Sequence, residues 1–507
     1  MKAKAKVVMV MGTASDVGKS VIATALCRIL TQEGWQVAPF KAQNMSLNSF
    51  AVPDGGEIGR AQVVQAEAAR VTPTVDMNPV LLKPVADHRS QVVILGAPMV
   101  TKSAADYYEM KSKLWPIVTG ALDRLRDEYD VVVIEGAGSP AEINLKEQEI
   151  VNMSVAKYAY AAVLLVGDIE RGGVFASLVG TMALLDDKEC PLIKCFLINK
   201  FRGDPGLLTS GLEMLEERTG VPVLGVLPHF MDIQIPREDS LGIDAGAESA
   251  GTPVLDIAVM RLPHMANFDD FDPLRAEPGV AVRYVAQAEG LGNPDLIVFP
   301  GSKTTVEDMA WLREQGLDEA IVARRGQGTP VIGICGGYQM LGDRIMDPEG
   351  VESSQAEVAG LGLLPVPTVF GGTKATQQVE GTVNANLNAP GGLLAYCARV
   401  RIKGYEIHMG ATDGGGLFNL DKRSGAAVDE LDGAMDAEGL TLGTYMHGLF
   451  HNREFRRGVL GQLAAWKGVT LPPGAEVDLD AEYDKLAELV RANVDMEMLY
   501  RVTGLVR

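Results

Sequence analysis

Short apolar runs recur along the chain, and most of them end in a glycine-rich or polar loop. In the first half they are Val7 to Met11, Trp35 to Phe40, Val131 to Ile134, Ala161 to Val166, Cys195 to Ile198 and Val223 to Leu227. In the second half they are Val254 to Met260, Leu296 to Phe299, Val331 to Ile334 and Leu442 to Met446. Runs this short and this uniformly apolar fit strands buried on both faces, as in a parallel sheet. Segments with helical spacing lie between them, among them Val21 to Leu30, Glu57 to Arg70, Phe455 to Trp466 and Ala481 to Val494. Strands alternating with helices predict an α/β chain built on doubly wound parallel sheets. Residues 237–253 are rich in glycine and alanine and lack periodicity, so they read as a linker. The expected organisation is therefore 1–236, a linker, 254–455 and a helical extension over 456–507. A glycine-rich stretch from Val351 to about Ile407 reads as additional β structure.

Composition narrows the function. The 507 residues are 47% hydrophobic and 22% charged, and Lys+Arg 46 against Asp+Glu 66 leaves a net charge of −20. Such a chain lacks the clustered basic surface that nucleic-acid phosphates require. The five cysteines are scattered with no Cys-x-x-Cys pair, which argues against a disulfide framework or a zinc site and fits a reducing cytoplasm. Lys2 to Lys6 precede the apolar Val7 to Met11, but this run is too short for a signal sequence and flows into a glycine-rich loop. No stretch is long enough to cross a membrane.

That loop is Gly12-Thr13-Ala14-Ser15-Asp16-Val17-Gly18-Lys19-Ser20. Set between a strand and a helix, its backbone amides can wrap phosphate at a helix N-terminus. Lys19 would neutralise phosphate charge and the Ser20 hydroxyl would hold Mg²⁺. The interval from Gly12 to Gly18 is one residue longer than the usual Walker A spacing, which makes it a variant loop. Glu135 ends an apolar strand and precedes Gly136-Ala137-Gly138, where an acid can bind Mg²⁺ opposite the phosphate loop. Asn199 and Lys200 follow a late strand, a place that serves adenine recognition in other P-loop proteins. The polar loop Ala42 to Ser49 leaves a strand end, where α/β sheets bind ligands or simply meet solvent.

The second half carries a different chemistry. Cys335 stands at the end of Val331 to Ile334 and is followed at once by Gly336 and Gly337. A strand, a sharp turn and a helix form a nucleophile elbow, which pushes the side chain out of the sheet on a strained backbone. The loop Pro300 to Thr305 offers backbone amides, chiefly at Gly301 and Ser302, for an oxyanion. A thiol nucleophile needs a base, and the six histidines are His88, His229, His264, His408, His447 and His451. His447 follows a strand and precedes a glycine, which favours it over His408. A triphosphate site and a cysteine–histidine site on one chain read as an ATP-driven, glutamine-dependent amide synthase.

The motifs make this specific. GICGGYQMLG, GYEIHMG and GTYMHGLF resemble the CobB/CobQ-type class I glutamine amidotransferases, and GTASDVGKS with VVIEGAG resembles the dethiobiotin-synthetase-like amidoligases. KAQNMSLNS, GEIGRAQ, NPVLLKP, EGAGSPAEINL, ERGGVFASLVGT, INKFRGD and FPGSKTT, in order along nearly the whole chain, resemble the cobyric acid synthase family. Glu149 departs from that pattern, which has Asp there. The resemblance implies a P-loop domain followed by a flavodoxin-like amidotransferase domain. It implies glutamine hydrolysis at Cys335 with His447, ammonia passing to the first domain, and ATP with Mg²⁺ activating carboxylates b, d, e and g of adenosylcobyrinic acid a,c-diamide. It places Gly12, Thr13, Ser15, Gly18, Lys19, Ser20 and Lys41 at the phosphates, Ser20, Glu57 and Glu135 near Mg²⁺, and Asn44 and Ser46 at the corrin substrate. Many relatives of the wider class carry an acid two residues after the histidine, and here Leu449 stands there. A dyad, or orientation by Glu406 or another group, follows, with weak or acceptor-dependent glutaminase activity. Two rivals stay open: a cobyrinic acid a,c-diamide synthase, and a ParA-like nucleotide switch with an inert Cys335.

Overall fold

A computed structural model describes residues 4–85, 89–236, 252–385, 391–474 and 477–505, with the side chains of 100–109 left aside. Most of the expected linker, 237–251, lies outside these residues, and so does His88. The first half is built on a six-stranded sheet in the order Val223–Pro228, Ile193–Phe201, Ala162–Asp168, Lys6–Gly12, Val131–Glu135, Val37–Phe40. Every pairing in it is parallel. Its central strands bury both faces, because helices cover each side, and this is why they read as unbroken apolar runs. The register sets Val10 beside Glu135, so the strand-end acid arrives next to the start of the glycine-rich loop.

The second half repeats the layout. Its sheet runs Val280–Val285, Leu255–Met260, Leu296–Phe299, Val331–Ile334, Thr441–Thr444, Ala434–Met435. Only the short edge strand Ala434–Met435 is antiparallel. Ile334 pairs with Thr444, so the residues that follow both strands, Cys335 and His447 among them, leave the same end of the sheet. A separate, mostly antiparallel sheet, dominated by the long strands Pro367–Val383 and Arg401–Thr412, packs beside it; among the described residues only Arg344–Met346 joins it in parallel. The β-rich reading of that stretch is thus extended, to Asp432 at the end of the strand Ala426–Asp432.

Three local readings differ from the sequence. The helix expected from Glu57 starts at Arg60, because Glu57–Gly59 pairs antiparallel with Ser49–Ala51. The polar loop 42–49 also contains the short strand Gln43–Met45, which joins Val80–Pro84 in a small four-stranded sheet. The helices Leu479–Asn493 and Met496–Thr503 do not extend the second half. They return to the first, where the fully buried Arg28 meets Asp480 at 2.8 Å and Asp484 at 2.6 Å. Tyr483, Leu486 and Val490 join the core around the helix Lys19–Gln32. Burial of one apolar face of that helix by a segment far along the chain ties the two termini into one body.

Candidate functional sites

The phosphate loop has the geometry its sequence requires. Gly18 sits at φ 100°, a left-handed conformation that favours glycine, and a Cβ there would lie 2.1 Å from Asn199 Nδ2. Asn199 donates its amide to the Val17 carbonyl at 2.8 Å, so it buttresses the loop as well as lining the cleft. Thr13 opens the loop by donating its N–H to the Val166 carbonyl at 2.9 Å, and Val17 packs where a Cβ on Gly12 would stand. Lys19 Nζ donates to the Ala14 carbonyl at 2.8 Å, curled along the loop it serves. The cleft in front has a volume of about 770 Å³, and Ser15, Lys19, Ser20, Lys41, Asn44, Glu135, Asn199 and Lys200 all reach it. Lys200 is held by Asp168 at 2.8 Å.

Glu135 is the hub of this cleft and is 1% exposed. Its Oε1 accepts from Ser20 Oγ at 2.9 Å and from Lys41 Nζ at 2.8 Å, and its Oε2 accepts from Gln65 Nε2 at 2.5 Å. Two hard oxygen donors, Ser20 Oγ and Glu135, therefore meet at the loop's mouth. That set suits Mg²⁺, which takes one or two protein oxygens and fills its octahedron with water and phosphate. Among the described residues no cluster of three or more His, Cys, Asp or Glu forms an all-protein metal cage.

Glu57 is a correction. It does not join Ser20 and Glu135. Fully buried, it accepts from Lys83 Nζ at 2.6 Å and Ser49 Oγ at 2.6 Å, and it pairs with Lys374 of the second half. Burial disfavours its charge, but the two ammonium groups hold its carboxyl well below the usual range. Lys83 of its own half holds one oxygen and Lys374, across the seam, holds the other, so the carboxylate is engaged away from Ser20 and Glu135. Ser46 does not line the cleft either, and its hydroxyl accepts from the Asn48 N–H at 3.0 Å, closing a local turn. Glu149 fills the place of the expected Asp by accepting from the N–H groups of Val151, Asn152 and Ser154.

The cysteine site is equally built. Cys335 has φ 53° and ψ −110°, a conformation rare for a residue with a Cβ, at a cost on the order of 1–3 kcal/mol. Its N–H donates to the Thr444 carbonyl at 2.8 Å and its thiol faces the Ile407 carbonyl at 3.5 Å. A Cβ on Gly336 would lie 2.7 Å from the Ser302 N, and one on Gly337 would lie 2.4 Å from the Phe299 carbonyl, so neither position admits a side chain. Cys335, His447, Gly301 and Ser302 line one cavity of about 50 Å³, together with Lys83, Lys303, Glu352 and Lys374.

His447 is pinned on three sides. Its backbone exchanges hydrogen bonds with Tyr405, its ring stacks on the Tyr405 ring at 5.4 Å, and its Nδ1 lies 2.8 Å from Asp270 Oδ2. Asp270 also accepts from the Gly448 N–H at 2.6 Å. Burial opposes the imidazolium, yet the negative charges of Asp270 and the Cys335 sulfur outweigh it and push His447 up to about 10. The orienting acid is therefore Asp270, contributed by the turn Phe268–Phe271 and not by the residues after the histidine. Glu406 is engaged elsewhere, with Arg423, and stands 3.8 Å from His408. The sequence signal that could have found Asp270 is a pair of acids between two phenylalanines, Phe268-Asp269-Asp270-Phe271, and the structure buries both acids to 1% exposure.

A Cys–His–Asp set beside a backbone cradle can form and break a thioester, and a P-loop with an acid at its mouth can move a phosphoryl group. Comparisons with known proteins agree with both halves. Residues 8–241 match the CobQ/CobB/MinD/ParA nucleotide binding domain, and residues 256–455 match the CobB/CobQ-like glutamine amidotransferase domain. A cobyric acid synthase of Dehalococcoides mccartyi is 52% identical over 505 residues, covering 99% of each chain. One from Sorangium cellulosum is 52% identical over 514 residues at 99% of each chain, and one from Moorella thermoacetica is 49% identical over 511 residues, 99% of this chain and 98% of its own.

The chain belongs to the cobyric acid synthase family. Coverage of 99% of each chain in the Dehalococcoides and Sorangium relatives means that both halves, and the returning C-terminal helices, are shared with this family. The cysteine cavity lies at the seam between the two halves, where Lys83 and Lys374, both on its lining, are buried with Glu57. No helix among the described residues is long and apolar enough to cross a membrane.

Proposed function

We propose that this enzyme amidates carboxylates b, d, e and g of adenosylcobyrinic acid a,c-diamide, giving adenosylcobyric acid at the expense of ATP and glutamine. The observation that carries the proposal is the pairing, in one chain, of a Cys335–His447–Asp270 set with the Lys19–Ser20–Glu135 cleft, in a chain aligned end to end with cobyric acid synthases. In the second half, His447 holds the proton given up by the Cys335 thiol, and the thiolate attacks the glutamine carboxamide. The oxyanion forms against the backbone of Gly301, Ser302 and Gly336. His447 returns the proton to the leaving ammonia, and water then releases glutamate.

In the first half, a corrin carboxylate attacks the γ-phosphorus of ATP, forming an acyl phosphate and ADP. Ammonia displaces phosphate from that intermediate and leaves the amide. Lys19 and the loop amides bind the phosphates, with Lys41 beside them on Glu135. Ser20 and Glu135 would hold Mg²⁺, whose charge steadies the transferring phosphoryl group when bound. Asn44, Asn199 and Lys200 all line the cleft, and this reading assigns Asn44 to the corrin substrate and Asn199 with Lys200 to the nucleotide.

The test is purified protein with ATP, Mg²⁺, glutamine and the a,c-diamide, followed by mass over time. Four amide additions are expected. No addition to the a,c-diamide, with two additions when the unamidated corrin acid replaces it, would point to the a,c-diamide synthase, and ATP hydrolysis without glutamine consumption would point to a nucleotide switch. In Cys335→Ala, glutamine-driven amidation should vanish while added ammonium still supports the reaction. Loss of neither, or of both in a folded protein, would sink the proposal.

A further inference from the structure

Two adjacent aspartates serve different halves of the molecule. Asp270 holds His447, as described above. Asp269 faces the other way and meets Arg60 Nε at 3.0 Å, an ion pair whose side chains are 2% and 8% exposed. Arg60 is the first residue of the helix Arg60–Ala68, which belongs to the nucleotide-binding half. Further along that helix, Gln65 donates to Glu135 at 2.5 Å. One rigid helix thus touches the acid of the phosphate cleft at one point and the aspartate turn of the cysteine site at another.

The rest of the seam holds the same turn. The Ser49 N–H donates to Asn267 Oδ1 at 3.0 Å, and the Phe268 N–H donates to Asn48 Oδ1 at 3.2 Å. Asn267 Nδ2 donates to the Tyr405 hydroxyl at 3.2 Å, and Tyr405 stacks on the His447 ring. Phe50 packs on Tyr405 at 4.7 Å and carries the Arg60 guanidinium over its face at 5.2 Å. The turn itself is short and irregular, opening with Asn267 at φ 53°; Phe268 and Phe271 anchor it in the second-half core, while the Asp269 carboxylate is met from the first half by Arg60. The Cα atoms of Asp269 and Asp270 are about 3.8 Å apart, as for any trans peptide, so a shift at one is felt at the other. Displacing a general base by about 1 Å can cost roughly 100-fold in rate.

We propose that Arg60 is a positioning residue for the glutaminase: through Asp269 it fixes the turn that presents Asp270 to His447, so the nucleotide-binding half completes the cysteine site. The proposal rests on reading Cys335 as a glutaminase nucleophile, and not on which corrin carboxylates are amidated. It also gives a physical reason for one chain to carry both activities, since the second half alone would lack the Arg60 contact on the turn that carries Asp270.

The experiment uses full-length Arg60→Met, Arg60→Lys and Asp269→Asn proteins. Glutamate release from glutamine is measured first, then amide formation with ATP, Mg²⁺, corrin substrate and ammonium chloride. Arg60→Met and Asp269→Asn should lower the glutaminase kcat roughly 10- to 100-fold, the range for a residue that supports a catalytic ligand. The KM for glutamine should change less than about twofold, because the cavity wall is intact. Arg60→Lys should recover activity toward the wild type, and ammonium-driven amidation should persist in all three. Full glutaminase kcat in Arg60→Met, no recovery in Arg60→Lys, or a parallel fall of ammonium-driven amidation would each overturn the proposal. If the wild type hydrolyses glutamine but amidates nothing with either donor, the synthase reading fails while the glutaminase arm still decides the role of Arg60.

Discussion

His447 and Asp270 stand 177 residues apart in the chain and 2.8 Å apart in space. The carboxylate fixes the imidazole through Nδ1, on the cavity that Cys335 also lines, and the Gly448 N–H holds the carboxylate in turn. Asp270→Asn keeps the shape but supplies the wrong hydrogen-bond partner. Its glutaminase kcat should fall by roughly 10²- to 10⁴-fold, while ammonium-driven amidation is retained. Glutamate release and amide formation, assayed side by side, check both halves of this expectation.

The same contact makes stability depend on pH. His447 is pushed up from 6.5 to about 10 in the folded protein, against burial, by the negative charges of Asp270 and the Cys335 sulfur. A group whose folded pKa is raised contributes stability that is full below its unfolded value and is lost as pH rises through the folded one. The Tm advantage of wild type over His447→Asn should therefore be largest near pH 6 and shrink as pH rises toward about 10. A Tm difference that is flat across this window, or that grows with pH, would contradict the assignment.

Glu135 links the phosphate loop to Lys41 and Gln65, so its loss should strike the synthetase half alone. Glu135→Gln should reduce amidation by roughly 10²- to 10³-fold with glutamine and with ammonium alike, on the scale of removing one group that stabilises transition-state charge. Glutamine hydrolysis measured without ATP should stay near the wild-type rate. This is the reverse of the pattern expected for Cys335→Ala.

Gly443 tests the packing that holds the elbow. It lies on the strand beside Val331–Ile334, and a Cβ there would stand 1.9 Å from Tyr338 Cδ2. Tyr338 is fully buried in the helix after Cys335 and has no room to retreat. Gly443→Ala should cost about 1–3 kcal/mol, a lowering of Tm by roughly 2–4 °C per kcal/mol for a domain of this size. Thermal unfolding followed through the second half reads it directly.

Much of the architecture was legible because both sheets are parallel and buried. Runs such as Val131 to Ile134 and Leu296 to Phe299 have no polar face to blur them, and each emerged as a strand with the expected loop after it. Short segments were less legible. Glu57–Gly59 carries a helix-compatible sequence, yet pairing with Ser49–Ala51 draws it into a strand, because tertiary contact overrides weak propensity. Glu57 itself was misread for a related reason: its value as a metal ligand depends on what neutralises it, and Lys374 lies 317 residues away.

By itself the sequence determined the chemistry that depends on local backbone shape. A glycine loop before Lys19 and a Gly-Gly pair after Cys335 each fix a turn within a few residues, and such turns are written in residue types that alone fit them. Only the tertiary structure decided who supports whom. Asp270 reaches His447, Arg60 reaches Asp269, and Asp480 and Asp484 reach Arg28 across the fold. A buried charge needs a partner but sets no sequence distance to it, since any stretch of chain that folding brings alongside can supply one.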